Sequence, residues 1–140
     1  PTPLVVNSRE IRDLLLEEPE VQRVLQMSLT SDLSFVGIGA LEPSSSFSQF
    51  GYRSKEDLEL LTRLGAVGEI HGEYFDAEGQ SLELEQHDRL IATRLSDLQK
   101  MKRVVGIAGG EQKLEALRGT LRGNLISTLI TDERTALALL

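Results

Sequence analysis

Residues 103–140 alternate between short apolar runs and stretches of helical character. Their letters, RVVGIAGGEQKLEALRGTLRGNLISTLITDERTALALL, read as strand, glycine turn, helix, strand, turn and helix. Thr131 and Asp132 provide an N-cap for the last of these helices. Two consecutive strand–helix units favour an open, mostly parallel α/β sheet, whose ligands bind beyond the carboxyl ends of its strands.

The glycine turn between the first of these strands and its helix is predicted to hold an anion. Gly109 and Gly110 allow backbone conformations that a β-carbon forbids, and the first N–H groups of the helix point outward from such a turn. Lys113 adds a full positive charge close behind them. Alternatively, Lys113 is a solvated residue of the first helical turn, offset by the neighbouring Glu111. The first interpretation points to a small phosphorylated or polyhydroxylated ligand.

The first part of the chain is predicted to contain a short strand and two helices. PTPLVV is typical of a strand, and Asn7 with Glu10 forms a capping-box pattern for the helix that follows. Pro19 occupies the favoured first turn of a second helix. Later in the chain, RLIATRLSDLQKM predicts a short strand and a helix that is capped by Thr93 or Ser96.

A second glycine-containing strand precedes a serine-rich loop and a third helix. LSFVGIGAL is predicted to run as one strand into Gly37 and Gly39, and the loop EPSSSFSQFGYR follows it. Ser54 with Asp57 marks the start of a helix that stops at Gly65. Neither glycine turn completes the dinucleotide-binding fingerprint, but their equivalent places after strands predict a shared ligand edge.

The segment AVGEIHGEYFDAEGQSLEL differs from the rest because it alternates loosely and contains a tight turn at residues 76–79. This pattern predicts a β-hairpin, and therefore antiparallel strands at a sheet edge or in an inserted subdomain. The expected fold class is α/β, a Rossmann-like open, mostly parallel sheet with helices on both faces and an antiparallel hairpin edge.

The charge balance argues against a nucleic-acid or membrane surface on this chain. Its 140 residues include 22 acidic and 15 basic ones, which gives a net charge of −7. A surface this acidic repels DNA and anionic lipids. The chain has no Cys, which excludes disulfides and thiolate chemistry and suits the cytoplasm. The two histidines, His71 and His87, have a spacing that fits no metal-binding helix motif, so we expect neither a metal nor a cofactor.

Glu69 is a candidate for a ligand contact because it lies in an apolar, glycine-flanked run, where an unpaired charge is costly. It either accepts hydrogen bonds from sugar hydroxyls or is an exposed carboxylate on an edge strand. His71, two residues on, is expected on the same strand face, more as a half-buried strand histidine than as a catalyst.

Two features of the serine-rich loop are candidates for phosphate contacts. Arg53 either reaches a phosphate or pairs with Glu56. The hydroxyls of residues 44–46, which include Ser46, suit a phosphate, although a serine run is also typical of a flexible loop.

The order of motifs along the chain resembles that of a known family. The shared motifs are PLVV at Pro3, SDL at Ser31, VGIGAL at Val36, GAVGEIHGEYFDAEG at Gly65, VGIAGG at Val105, Lys113 and LITDE at Leu129. They cover nearly the whole chain. Together they resemble the sugar-binding domain of SorC-type (DeoR/CggR-like) bacterial transcriptional regulators.

This resemblance implies a phosphosugar isomerase-like α/β fold of the NagB/RpiA/CoA-transferase type. It implies a non-catalytic domain that binds a phosphorylated sugar and thereby controls a helix-turn-helix domain located earlier in the polypeptide, commonly in a dimer or tetramer. Residues 1–140 would then be the C-terminal part of the effector domain. The helix-turn-helix and the first phosphate loop would lie upstream.

The resemblance also implies site residues. By position in the motifs, the family's acidic ligand residue falls on Glu69, often Asp in other members, and its lysine falls on Lys113. Its basic residues before the third helix fall near residues 50–53. Many members carry a basic residue where this chain has Glu73. The complete set of predicted ligand contacts is Glu69, Lys113, Arg53, Phe50, Ser46, Gly39, Gly109 and Gly110.

A second hypothesis is a sugar-phosphate isomerase or deaminase of the same fold. Such an enzyme needs a base that abstracts a proton at a sugar carbon, and Glu69 with His71 would serve. A third hypothesis, a nucleotide-binding or receiver-like module, lacks an acidic pocket at the first strand and a complete dinucleotide fingerprint. The regulator hypothesis is the one that the motifs favour, although fold alone does not decide function.

Overall fold

The computed structural model describes residues 2–49 and 53–140, which form an α/β fold with two three-stranded sheets. The strands are β1 (Ser34–Gly37), β2 (Gly39–Ala40), β3 (Gly68–Ile70), β4 (Glu73–Phe75), β5 (Val104–Ile107) and β6 (Thr128–Ile130). The helices are α1 (Arg9–Glu17), α2 (Pro19–Leu29), α3 (Ser46–Gln49), α4 (Lys55–Arg63), α5 (Leu95–Leu98), α6 (Leu114–Arg122) and α7 (Glu133–Leu139). Two 3₁₀ helices cover Glu85–Arg89 and Glu111–Lys113.

The C-terminal strand–helix units form the predicted parallel sheet. Its strands lie in the order β1-β5-β6, and both neighbouring pairs are parallel. Gly37 faces Ile107, which in turn faces Ile130, so the strands end at a common edge. The carboxyl ends of β1 and β5 therefore lie side by side, as the sequence predicts.

One face of the parallel sheet is only partly covered by the described chain. Phe35, Ile107 and Ile130 share this face and are exposed to 60%, 49% and 50%. Val36 points to the opposite face and is buried in the core. The three exposed apolar side chains thus lie together on the surface of the described residues.

The segment LSFVGIGAL forms two strands instead of the single strand that its sequence predicts. β1 ends at Gly37, and β2 begins at Gly39 in the second, antiparallel sheet. Between them Ile38 is 1% exposed and packs into the core. The chain therefore passes from one sheet to the other at Ile38, and burial of this apolar side chain stabilises the passage.

The predicted hairpin is present, but its strands turn earlier than expected. β3 and β4 pair antiparallel and are joined by His71 and Gly72, whose φ angles are +56° and +82°. The predicted turn at residues 76–79 also exists, and an isolated bridge beyond it pairs Phe75 with Ser81. The hairpin joins β2 in the antiparallel sheet, apart from the parallel one. The expectation that His71 continues the strand of Glu69 is wrong, since His71 lies in the turn.

Several predicted helix starts are confirmed. They are Pro19 at the first position of α2, the capping box of Ser54 and Asp57 at α4, and Asp132 as N-cap of α7. The cap of α1 is Ser8, whose Oγ accepts from the N–H of Ile11, and not Asn7. In place of the predicted first strand, the described residues 2–6 hold an isolated antiparallel bridge between Val5 and Leu90.

The start of α5 shows a cap that comes from a distant part of the chain. The N-cap residue is Arg94, which makes no capping hydrogen bond, so the predicted caps Thr93 and Ser96 are wrong. Instead, Oε2 of Glu73, on β4, accepts from the N–H of Leu95 at 3.0 Å. A carboxylate from another element thus satisfies one of the free N–H groups of this helix.

The hydrophobic core lies between the sheets and α6, which contacts β2 and β3. The largest fully buried side chains are Phe75, Ile38, Leu61, Ile70, Leu117, Leu125 and Thr120. Because the 3₁₀ helix Glu111–Lys113 also contacts β2, this packing brings the start of α6 against the end of β1.

Candidate functional site

A cavity of about 400 Å³ lies where the chain leaves β1 and enters β2. We call it the β1 cavity. The polar and glycine residues that line it include Gly39, Glu42, Ser44, Ser45, Glu69, His71 and Lys113. Its position beyond the carboxyl end of a parallel strand is where ligands bind in open α/β sheets.

Glu69 enters the cavity from β3, and two neighbours determine its orientation. Its Oε2 accepts a hydrogen bond from the N–H of Gly72 at 2.8 Å. Its Oε1 lies so close to Gly39 that a β-carbon there would collide with it. Glycine at position 39 therefore makes room for the carboxylate, which suits it to accept hydrogen bonds from hydroxyl groups.

Lys113 reaches the same cavity from the junction of the second 3₁₀ helix and α6. Its Nζ donates to the carbonyl oxygen of Ile38 at 2.9 Å. Among the described residues, no carboxylate lies within 4 Å of this ammonium group. Since an ammonium group has three donors, it has capacity left for an anion in the cavity.

Arg53 lies in the wall behind the serine-rich loop and is 4% exposed. Its guanidinium donates to four oxygen atoms of residues 40–48: the carbonyls of Ala40 and Glu42 and the hydroxyls of Ser45 and Ser48. It therefore holds the loop that supplies Glu42, Ser44 and Ser45 to the cavity.

Arg53 forms no ion pair within 4 Å in the described part of the chain. No ion pair to Glu56 is formed there, and the buried Nη1 atom has no hydrogen-bond partner. Removing a cation from water without pairing it is costly. An anion bound beside the loop would supply the missing interaction.

The two glycine turns line different cavities, although their strands end at a common edge. Gly39 lines the β1 cavity, whereas Gly110 lines a different cavity of about 330 Å³. The N–H of Gly110 donates to Asp132 Oδ2 at 3.1 Å and to Thr135 Oγ1 at 2.8 Å. A β-carbon at Gly109 would collide with the same carboxylate. The N–H of Gly110, which the prediction assigned to an anion, is therefore paired with Asp132, whose pKa is lowered by hydrogen bonds from Thr135.

Two predicted contacts have no described side chain. Ser46 is the first residue of α3 and directly follows Ser45. Phe50 lies outside the described residues.

Glu73 and His87 lie in a second polar group, near β4. Glu73 is buried, pairs with Arg94 Nε at 3.1 Å and accepts from Ser81 Oγ at 2.6 Å. His87 Nε2 accepts from the N–H of Tyr74 at 2.9 Å, and burial lowers the pKa of His87. These contacts give both residues structural roles. In this chain the carboxylate of Glu73 already has partners, in Arg94 and Ser81.

Sequence reasoning missed Glu42 and the Ile38 carbonyl as cavity groups. The sequence holds no local signal for either one, because each enters the site only through the passage from β1 to β2. Among the described residues, no cluster of His, Asp and Glu side chains is arranged to hold a metal ion.

Comparison with known proteins gives the class of this domain. Residues 1–140 match the family described as "Putative sugar-binding domain". The transcriptional regulator LsrR of Klebsiella pneumoniae is 38% identical over an alignment of 143 positions, which covers all of this chain and 44% of LsrR. The erythritol catabolism regulatory protein EryD of Brucella abortus is 37% identical over 140 residues, and the match covers all of this chain and 44% of EryD.

A solved structure agrees with this result. A DeoR family transcriptional regulator from Listeria monocytogenes superimposes with a TM-score of 0.94 and 30% identity. The match covers 99% of this chain and 56% of that one. The fold is therefore that of the sugar-binding domains of such regulators, as the sequence predicts.

The chain belongs to this sugar-binding domain family, and the predicted resemblance is confirmed. The relatives named above are transcriptional regulators, and none of them is named as an isomerase or a deaminase. The chain spans about half the length of the curated relatives it matches. No helix in the described ranges is long and apolar enough to cross a membrane.

Proposed function

We propose that this chain senses a phosphorylated sugar in a bacterial transcriptional regulator and alters DNA binding by a separate helix-turn-helix domain. The observation that carries the proposal is the meeting of Lys113 and Glu69 in the β1 cavity. One supplies a cation without a carboxylate partner among the described residues, and the other supplies a carboxylate acceptor. A phosphosugar offers an anion and hydroxyl donors on one small molecule.

The cations are assigned to the phosphate. Lys113 lies at the cavity wall, while Arg53 lies behind Ser45 with an unpartnered nitrogen among the described groups. Charge-assisted hydrogen bonds to phosphate are stronger than neutral ones, and arginine matches its geometry well. Serine hydroxyls of the same loop add neutral donors.

The carboxylate of Glu69 is assigned to the sugar end. It is half-buried and already accepts one hydrogen bond, from Gly72, so its remaining lone pairs are available to hydroxyl groups of the ligand. The carboxylate of Glu69 would repel a phosphate placed beside it. The phosphate is therefore assigned to the cations, and the sugar hydroxyls are assigned to Glu69.

Residues 1–140 are proposed to be the C-terminal part of a larger effector domain. Parallel sheets are normally covered on both faces. Here Phe35, Ile107 and Ile130 leave one face partly open, which fits coverage by a further segment of the polypeptide. The acidic charge of −7 fits a division in which another domain contacts DNA. We further propose a cytoplasmic dimer or tetramer.

Calorimetric titration of the full-length polypeptide tests the proposed ligand. The same protein is titrated with a panel of sugar phosphates and with the corresponding free sugars. A phosphate contact worth about 1.5–3 kcal/mol predicts that a sugar phosphate binds roughly ten- to a hundredfold more tightly than its free sugar. Equal affinities would contradict the assignment of Lys113 and Arg53 to a phosphate, and turnover of a sugar phosphate would contradict the sensing role.

A further inference from the structure

We infer that His71 is a direct ligand contact that decides which sugar the β1 cavity accepts, an inference that rests on the proposed function. The side chain of His71 lines the cavity together with Glu69. It extends from the turn between β3 and β4. The segment 69–71 therefore carries two potential hydrogen-bond acceptors, the carboxylate of Glu69 and the imidazole of His71.

The backbone of the turn does not explain why a histidine is present. His71 and Gly72 both have positive φ angles, as in the two-residue turns that Asn-Gly and Gly-Gly sequences form most readily. Non-glycine residues with a positive φ are uncommon, and Asn, Asp and His are the residues found there most often. Since Asn or Gly would serve the turn at least as well, the backbone does not account for the imidazole, which lines the cavity.

The imidazole ring is held with one nitrogen engaged. Nδ1 lies 3.3 Å from the carbonyl oxygen of Thr93. A carbonyl oxygen only accepts, so Nδ1 is the donor, and Nε2 of the neutral ring is left as an acceptor. Thr93 is itself tied to α2, since its Oγ1 lies 3.0 Å from Oγ of Ser28. No described group bonds to Nε2, which is therefore available to a ligand.

The two acceptors define a class of ligand. Glu69 and the neutral ring of His71 both suit hydroxyl donors, while Lys113 suits an anion. The ligand is therefore a sugar phosphate whose end remote from the phosphate carries two neighbouring hydroxyl groups. A site that is built to bind a hydroxyl rejects the analogue that lacks it, because the buried acceptor then stays unpaired.

Two variants remove the imidazole and keep the turn: His71→Gly and His71→Asn. The full-length polypeptide and both variants are titrated with pentose and hexose phosphates, with single-deoxy analogues of the tightest binder, and with inorganic phosphate. Asn124→Gly is the matched control, since Asn124 is exposed and also has a positive φ, of +52°. Thermal melts of all variants check that the fold is kept.

We expect His71→Gly to weaken the tightest sugar phosphate about tenfold, the equivalent of one hydrogen bond. One deoxy analogue and inorganic phosphate should bind the variant and the wild type equally. Unchanged affinity for the sugar phosphate would overturn the inference. An equal loss for all probes, inorganic phosphate included, would overturn it too, because it would show a purely structural role. A wild-type protein that binds no sugar phosphate would overturn the proposed function as well.

Discussion

The guanidinium carbon of Arg53 lies over the ring of Tyr74, 5.9 Å from the ring centroid. Tyr74 also stacks on His87, with a centroid distance of 5.8 Å and an interplanar angle of 17°. Arg53 holds the serine-rich loop, while Tyr74 belongs to the hairpin that carries Glu69. The two walls of the β1 cavity are therefore joined through the contact between Arg53 and Tyr74.

Arg53→Lys should lower the free energy of unfolding by about 1–3 kcal/mol, because an ammonium group cannot serve all the buried oxygen atoms that the guanidinium binds. Affinity for sugar phosphates should fall as well. Urea denaturation and calorimetry measure the two effects. The control is Arg23→Lys, since Arg23 pairs with Glu20 on an exposed helix surface and should change stability by less than about 0.5 kcal/mol. Equal stability of the two variants would contradict the role of Arg53 in holding the loop.

Lys113→Ala should reduce affinity for a sugar phosphate about ten- to a hundredfold and leave the melting temperature nearly unchanged. The loss corresponds to one charge-assisted contact of about 1.5–3 kcal/mol. Lys102→Ala is the matched control, because Lys102 pairs with the exposed Asp32 outside the cavity. If both lysine variants bound the ligand like the wild type, Lys113 would not be a ligand contact.

Gly39→Ala should weaken sugar-phosphate binding by displacing the carboxylate of Glu69, with which the new methyl group collides. Glu69→Ala should also weaken binding, and adding Gly39→Ala to it should have little further effect, since the obstacle is gone. This non-additivity is expected to amount to about 0.5–3 kcal/mol in a double-mutant cycle measured by calorimetry. Additive losses would show that Gly39 acts independently of Glu69. Glu69→Gln should reduce discrimination among sugar epimers.

Stability should fall as the pH decreases below about 6.5. Burial lowers the pKa of His87 below its ordinary value of 6.5, so the unfolded chain binds a proton before the folded one does. This contribution to stability is fully present above pH 6.5 and is lost as the pH falls towards the folded pKa. Urea denaturation of the wild type and His87→Gln across this range measures it. If the free energy of unfolding fell equally steeply with pH in the variant, groups other than His87 would be responsible.

The isolated chain should bind DNA negligibly at physiological salt, because 22 acidic residues oppose 15 basic ones. Gel-shift titration against operator and random duplexes measures this. The full-length polypeptide serves as the positive control on the operator. Tight, sequence-selective binding by residues 1–140 alone would place the DNA-reading surface in this chain.

The sequence by itself determined the elements whose signals are local. The capping box of Ser54 and Asp57, Pro19 at the start of α2 and the cap at Asp132 each depend on residues within one helical turn. The parallel pairing of β5 with β6 follows from two consecutive strand–helix units, and the family was visible in the order of its motifs. Each of the helix-start signals lies within a few neighbouring residues, so it can be recognised without knowledge of the fold.

Only the tertiary structure decided which polar groups meet. Lys113 bonds to the carbonyl of Ile38, 75 residues away in sequence, and Glu73 caps a helix 22 residues later. The turn at His71 was missed because the residue pair His-Gly is not a strong turn signal, and pairing across the hairpin imposes the positive φ. The site depends on burial and hydrogen bonding between distant segments, and these free energies exist only once the core has brought the segments together.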